Sequence, residues 1–173
     1  MTIFLCGFMG CGKSTIGFRL ARKLNLNFVD MDSYIEQQAG MKIPEIFEKQ
    51  GESHFRDVET QAVRELSGRD GVIACGGGAM LREINAEIAR KSGFVVLLDV
   101  PFRTCYFRIA DSDRPIVKRS TRQQLNQLYE ERYNIYETHC THKVDASRSI
   151  NAAVWNIINT LEIPVSEEKE NLC

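Results

Sequence analysis

The chain has little of what would tie it to a membrane, to an oxidising compartment or to nucleic acid. No apolar run approaches the length of a bilayer span. Met1 leads straight into an apolar run at 3–6, which leaves no room for a leader, so a cytoplasmic location is expected. Charge of one sign is missing as well. The 22 lysines and arginines are balanced by 23 aspartates and glutamates, a formal net charge of -1, which argues against nucleic-acid binding by bulk charge. The six cysteines, Cys6, Cys11, Cys75, Cys105, Cys140 and Cys173, form no C-x-x-C pair and follow no regular spacing. They read as reduced thiols, with Cys6 and Cys75 as small core hydrophobes. His139-Cys140-Thr141-His142 lacks a second ligand cluster and reads as a surface loop rather than a metal site. Internal repeats and low-complexity segments are also missing.

What is present is an alternation of short apolar runs and helical patterns over 173 residues, 43% of them hydrophobic, enough for one domain with a real core. The runs lie at 3–6, 27–30, 72–75, 94–98 and 143–146. Such alternation predicts an α/β fold with a parallel sheet covered on both faces. Helices are expected after the first run up to Asn25, at 33–39 before Gly40, at 43–50 with Pro44 in the first turn, and at 52–66. Further ones are expected around Ile84, Ile88 and Ala89, at 102–109, at 123–136, and along the stripe Ile150, Val154, Ile157, Ile158 and Leu161. Trp155 and the other aromatics read as core. The roughly forty residues between the second and third runs exceed a simple crossover, so about 31–61 is expected to be an inserted substrate-binding subdomain. Residues 110–122 lose the apolar pattern and gain turn residues and charge, as a mobile lid would. A single domain is expected over 1–162, followed by a polar, frayed tail at 163–173.

The first run joins the first helix through Gly7-Phe8-Met9-Gly10-Cys11-Gly12-Lys13-Ser14-Thr15, a G-x-x-x-x-G-K-S sequence. Glycines let successive backbone N–H groups converge on an anion, and the helix N-terminus adds its positive dipole. In such a cradle Lys13 reaches the β- and γ-phosphates and Ser14 offers its hydroxyl to Mg²⁺. A full motif between strand and helix is far more specific than a glycine-rich turn.

Other stretches acquire meaning beside that loop. Asp30-Met31-Asp32 follows the second run, at the strand end where open α/β sheets bind ligands. Asp30 is suited to hold Mg²⁺ directly or through water, and Asp32 to accept a hydroxyl hydrogen bond and later its proton. Alone, the pair would sooner be read as a helix cap, since Ser33 opens a helix; beside the phosphate loop that preference reverses. Arg56 and Glu59 in Phe55-Arg56-Asp57-Val58-Glu59 are helical neighbours, so the guanidinium is a pre-oriented fork for a carboxylate or two hydroxyls. As a plain surface pair they would contribute only about 0.3–0.5 kcal/mol and say nothing of function. Gly76-Gly77-Gly78 follows the third run, and three glycines exceed what a tight turn needs. Many phosphate-loop enzymes carry a metal-binding acid there; this chain has none, which leaves Asp30 as the acidic partner. Arg114, before Pro115 in the lid, is placed to neutralise a transferring phosphoryl group, with Arg108 a weaker candidate. Arg132, beside Tyr129, Tyr133 and Tyr136, suits a bidentate grip on an anionic group.

In this order, the residues resemble the shikimate kinase family from Ile3 to about Leu161. The resemblance rests on 7–15, Asp30-x-Asp32, Gly40-x-x-Ile43, Ile46-Phe47, Gly51-Glu52, Phe55-Arg56 with Glu59, Gly76-Gly77-Gly78-Ala79, Asp113-Arg114-Pro115, and Arg132 with Tyr136. Family members often read R-x-P-L-Y at the last motif, where this chain has Asn134 and Ile135. The resemblance implies a three-layer α/β/α fold with a five-stranded parallel sheet in the order 2-3-1-4-5. It also implies ATP-dependent phosphorylation of the 3-hydroxyl of shikimate, in aromatic amino-acid biosynthesis. ATP would be held by Gly10, Cys11, Gly12, Lys13, Ser14, Thr15, Arg114 and Arg148, and one Mg²⁺ by Ser14 and Asp30. Shikimate would be held by Asp32, Arg56, Gly76, Gly77, Gly78 and Arg132, with Lys13, Asp32 and Arg114 catalytic. The implied partners are these small molecules alone, on a monomer. A gluconate-kinase-like enzyme and a non-catalytic nucleotide-binding module are the alternatives.

Overall fold

The computed structural model describes residues 1–112 and 114–164. Five parallel strands, β1 (Thr2–Cys6), β2 (Asn27–Asp30), β3 (Gly71–Ala74), β4 (Gly93–Asp99) and β5 (His142–Asp145), form one sheet in the order β2-β3-β1-β4-β5. β1 lies between strands reached by opposite turns of the chain, so its carboxyl end opens at the switch point where α/β sheets take ligands.

Alternation along the strands sorts the core into two layers. Ile3, Leu5, Val72, Val96, Leu98 and Val144 pack on one face with Leu20 and Ala21 of α1 (Lys13–Leu24) and Ile157 and Ile158 of α8 (Ile150–Thr160). Phe4, Cys6, Ile73, Cys75, Val95 and Leu97 pack on the other. There they meet Val63 and Leu66 of α3 (Ile43–Leu66), Ala86 and Ala89 of α4 (Glu83–Ser92), and Tyr136 of α7 (Arg122–His139). Between them α2 (Met31–Ala39), a 3₁₀ turn (Ala79–Leu81), α5 (Phe102–Ile109) and α6 (Pro115–Lys118) complete the chain. No helix among the described residues is long and apolar enough to cross a membrane.

Differences from the sequence reading have local causes. β3 and β4 begin at Gly71 and Gly93, which carry no hydropathy. A side chain at Gly71 would lie 2.9 Å from the Asn27 carbonyl, and one at Gly93 would overlap the Thr2 carbonyl. α3 spans both helices expected there, because Gly51 breaks the helix without ending the stack: its φ is 80° and its ψ 170°. α7 runs on to His139, whose Nδ1 lies 2.8 Å from the Met80 carbonyl, and His142 opens β5. The 139–142 string is therefore tied into the fold rather than a plain surface loop. Trp155 is not core: it is 45% exposed and lies under the Lys23 ammonium, 4.6 Å from the ring centroid. Its position falls off the apolar stripe that buries Val154 and Ile158. Phe18 and Phe107 are exposed too. Inside the 110–122 stretch, α6 buries Val117. Cys6, Cys11, Cys75 and Cys105 are free and buried. Asp113, Cys173 and the expected tail from 165 on lie outside the described residues.

Candidate active site

The Gly-Lys-Ser loop leaves β1 and enters α1 at the carboxyl end of the sheet. Gly10 and Gly12 have φ of 80° and 100°, left-handed backbone that side chains rarely adopt. A methyl at Gly10 would also sit 2.7 Å from the Cys105 carbonyl, so the loop lies tight on α5. Gly12 stands before α1 with no side-chain cap, leaving the first N–H groups of that helix available to an anion. The Lys13 ammonium donates to the carbonyls of Gly7, at 2.8 Å, and Phe8, at 3.2 Å. Ser14 Oγ donates to Asp30 Oδ2 at 2.6 Å, while Asp30 Oδ1 accepts from Ser33 N at 3.2 Å. Asp30 thus serves as the helix cap that its sequence context allowed. One oxygen caps α2; the other meets the serine hydroxyl of the loop.

A cavity of about 250 Å³ opens over this loop, and its walls include Lys13, Ser14, Asp30, Asp32, Gly77 and Arg114. Arg108 lines it too, and its Nη1 donates to the Gly10 carbonyl at 3.0 Å, so the weaker of the two candidate arginines is bonded directly to the loop. Beyond Gly12 a second cavity of about 200 Å³ is lined by Thr15, Ile16, Arg108, Ala146, Arg148 and Ile150. Ile150, assigned to the core stripe, is instead 37% exposed to this cavity. The usable signal was its place at the very start of α8, just after the Ser149 cap.

The three glycines after β3 enter a turn, closed by Ala79 N donating to the Gly76 carbonyl at 3.1 Å, and they also make room for side chains. None of Gly76, Gly77 and Gly78 has positive φ. A methyl at Gly76 would lie 2.5 Å from Asp32 Oδ1, one at Gly78 would overlap Arg56 Nη1, and one at Gly77 would touch Arg132 Nη1 at 4.0 Å. The backbone of these residues is therefore a floor on which Asp32, Arg132 and Arg56 lie side by side. The floor is pinned from below by the buried Tyr136, whose hydroxyl donates to the Gly77 carbonyl. Arg56 is fixed from behind as well. Its Nη1 meets Glu59 Oε2 at 2.6 Å and its Nη2 meets Glu52 Oε1 at 3.1 Å. Glu59 is only 1% exposed, so the Arg56–Glu59 pair is not the surface pair that helical spacing alone allowed.

Electrostatics separate the acids. Asp32 is open to the cleft on one side, yet the protein crowding its other sides raises its pKa above the usual aspartate range. Asp30 adds to the rise, and Lys13 and Arg114 oppose it. Burial likewise raises Glu59, against the pull of Arg56. Among the described residues no three His, Cys, Asp or Glu side chains come together as a metal cluster.

Comparison with known proteins gives a consistent result. A family model described as shikimate kinase matches residues 9–162. A shikimate kinase from Sulfurihydrogenibium sp. (strain YO3AOP1) is 46% identical over 136 residues, 78% of this chain and 81% of that one. A solved structure of shikimate kinase from Acinetobacter baumannii in complex with shikimate is 34% identical, with a TM-score of 0.84 over 94% of this chain and 92% of that one. A gluconokinase from Sinorhizobium meliloti 1021 has a TM-score of 0.61 over 93% of this chain and 91% of that one, at 16% identity, which is a likeness of fold alone.

Proposed function

The chain belongs to the shikimate kinase family, an ATP-dependent kinase family, and we propose that its cleft moves the γ-phosphoryl group of ATP to the 3-hydroxyl of shikimate, giving shikimate 3-phosphate and ADP. The observation that carries this reading is the glycine floor. Asp32, Arg56 and Arg132 each lie against one of its glycines, and Asp32 and Gly77 also line the cavity that holds Lys13, Ser14 and Asp30. An acid to meet a hydroxyl and a pair of forks to meet a carboxylate are what a ring bearing both groups requires.

Phosphoryl transfer needs positioning and charge neutralisation more than covalent help. The loop 10–15 takes the phosphates on backbone N–H groups, and Lys13, tethered at the loop carbonyls, swings to the β- and γ-phosphates. Ser14 Oγ and Asp30 Oδ2, hard oxygens 2.6 Å apart, are the groups that would hold a Mg²⁺ ion. When bound, that ion supplies charge neutralisation on the transferring group. Arg56 and Arg132 hold the carboxylate of the ring, with Gly76, Gly77 and Gly78 beneath it. Asp32 accepts the hydrogen bond of the 3-hydroxyl, fixes its oxygen in line with the γ-phosphorus and takes its proton as the new P–O bond forms. Residues 31–61 act as the substrate-binding unit and 110–122 as the lid, which brings Arg114 onto the phosphoryl oxygens and excludes water. Arg148 serves the far end of the nucleotide. The buried free thiols fit a cytoplasmic enzyme, which we assign to a monomer.

An ADP-release assay across a panel of acceptors tests this. Turnover with shikimate, and neither with gluconate nor without an acceptor, is expected. Turnover of gluconate, or equal ATP hydrolysis with and without acceptor, would overturn it.

A further inference from the structure

Behind the glycine floor stands an arginine with no place in the sequence motifs. Arg82 directly follows the 3₁₀ turn and immediately precedes α4. It lies four residues beyond Gly78, on which the Arg56 guanidinium rests. Its side chain turns back to α3. There its Nη1 donates to the Arg56 carbonyl at 2.8 Å, to Thr60 Oγ1 at 3.1 Å and to Asp57 Oδ1 at 3.3 Å. Thr60 Oγ1 also donates to the same Arg56 carbonyl, at 3.0 Å.

A closed circuit results. The guanidinium of Arg56 touches the segment after β3 at Gly78, and the backbone of Arg56 is gripped from the same segment at Arg82. Both ends of one residue are thereby referred to one stretch of chain. This matters because Arg56 sits one turn past the Gly51 break, where α3 has lost the support of a continuous helix. Side-chain pairing with Glu59 and Glu52 cannot supply that support, since both lie on α3 and move with it.

We propose that Arg82 is a positioning residue, which sets α3 against the glycine floor and so holds Arg56 where it meets the substrate carboxylate. The proposal rests on the assignment of Arg56 to that carboxylate. Arg82 itself touches no substrate; it acts by preventing a displacement of Arg56 that would cost affinity without altering the chemical step.

Steady-state kinetics and melting temperatures of Arg82→Met, Arg82→Lys and Arg56→Ala test it. Loss of one charge-assisted tie predicts a KM for shikimate about tenfold higher in Arg82→Met, with kcat and the KM for ATP within about twofold of the parent. Arg82→Lys keeps one donor for the Arg56 carbonyl and should raise that KM only about two- to threefold. It decides the matter alone if the methionine variant does not fold. An unchanged shikimate KM in the arginine-82 variants, beside a raised one in Arg56→Ala, overturns the proposal. Parallel losses in kcat, both KM values and melting temperature overturn it too, as an unspecific structural effect. No change in Arg56→Ala would defeat the carboxylate assignment beneath it, and the two failures are told apart by that control.

Discussion

Asp32 carries the sharpest tension between stability and use. Its surroundings raise its pKa, burial first and Asp30 next, so the folded protein holds the ionised form at a cost. For an acid whose folded pKa lies above the unfolded value of about 3.9, that cost is present at every pH above the folded value and vanishes below the unfolded one. Asp32→Asn is therefore expected to melt above the parent at pH 7, with the gap closing as the pH falls toward about 4, while turnover drops roughly a hundredfold or more. A melting temperature at or below the parent's at pH 7 would contradict this. Because Arg114 pulls the same pKa down, Arg114→Ala should move the acid limb of kcat/KM for shikimate to higher pH. At this scale much was legible. Lys13, Ser14, Asp30 and Asp32 could be placed because their chemistry is local to one motif each. Arg82 could not, because its contacts span more than twenty positions of sequence and no short pattern records them. Nor was the packing of Asp32, Arg132 and Arg56 on three glycines visible. The letters showed only that side chains were missing there.

Among the elements, α3 links fold and site. Its first half buries Ile46 and sets Phe47 against Phe55, ring centroids 4.6 Å apart, across the break at Gly51. Open space surrounds the position where a side chain at Gly51 would stand, so only the backbone forbids one. Alanine there would hold about 1–3 kcal/mol of strain or fuse the two halves into one helix. Gly51→Ala should thus melt roughly 2–10 °C lower and raise the KM for shikimate without changing that for ATP, since the nucleotide loop lies on α1. A variant with parental melting and parental shikimate KM would show that the break has no such role. Helix periodicity predicted both halves; in α8 the same periodicity failed at Ile150, and Trp155, read as core for its residue type, lies off the stripe. The ends of β3 and β4 were misplaced for the opposite reason: their first residues are glycines, essential to close strand approach yet silent in hydropathy.

For the whole molecule, strand order does what no single element can. Residues from β1, β2, β3 and the helices after them are far apart in sequence, and the order β2-β3-β1-β4-β5 brings their carboxyl ends to one rim. Residues 10 and 12–15 of the glycine-lysine-serine loop, Asp30, Asp32 and Gly77 then line one cavity, and Gly12, Thr15 and Arg108 also line its neighbour. Alternating runs were enough to read a parallel sheet; the order came from the family resemblance, since periodicity carries no information about which strands are neighbours. On the proposed function the cleft has a phosphate end and a ring-acid end, with Asp32 at the boundary. The most direct measurement is a crystal structure of the protein with shikimate and ADP. The carboxylate is expected between Arg56 and Arg132 above Gly77, with the 3-hydroxyl oxygen about 3 Å from the Asp32 carboxylate. Shikimate bound with its carboxylate away from both guanidinium groups, or its 3-hydroxyl out of reach of Asp32, would contradict the account.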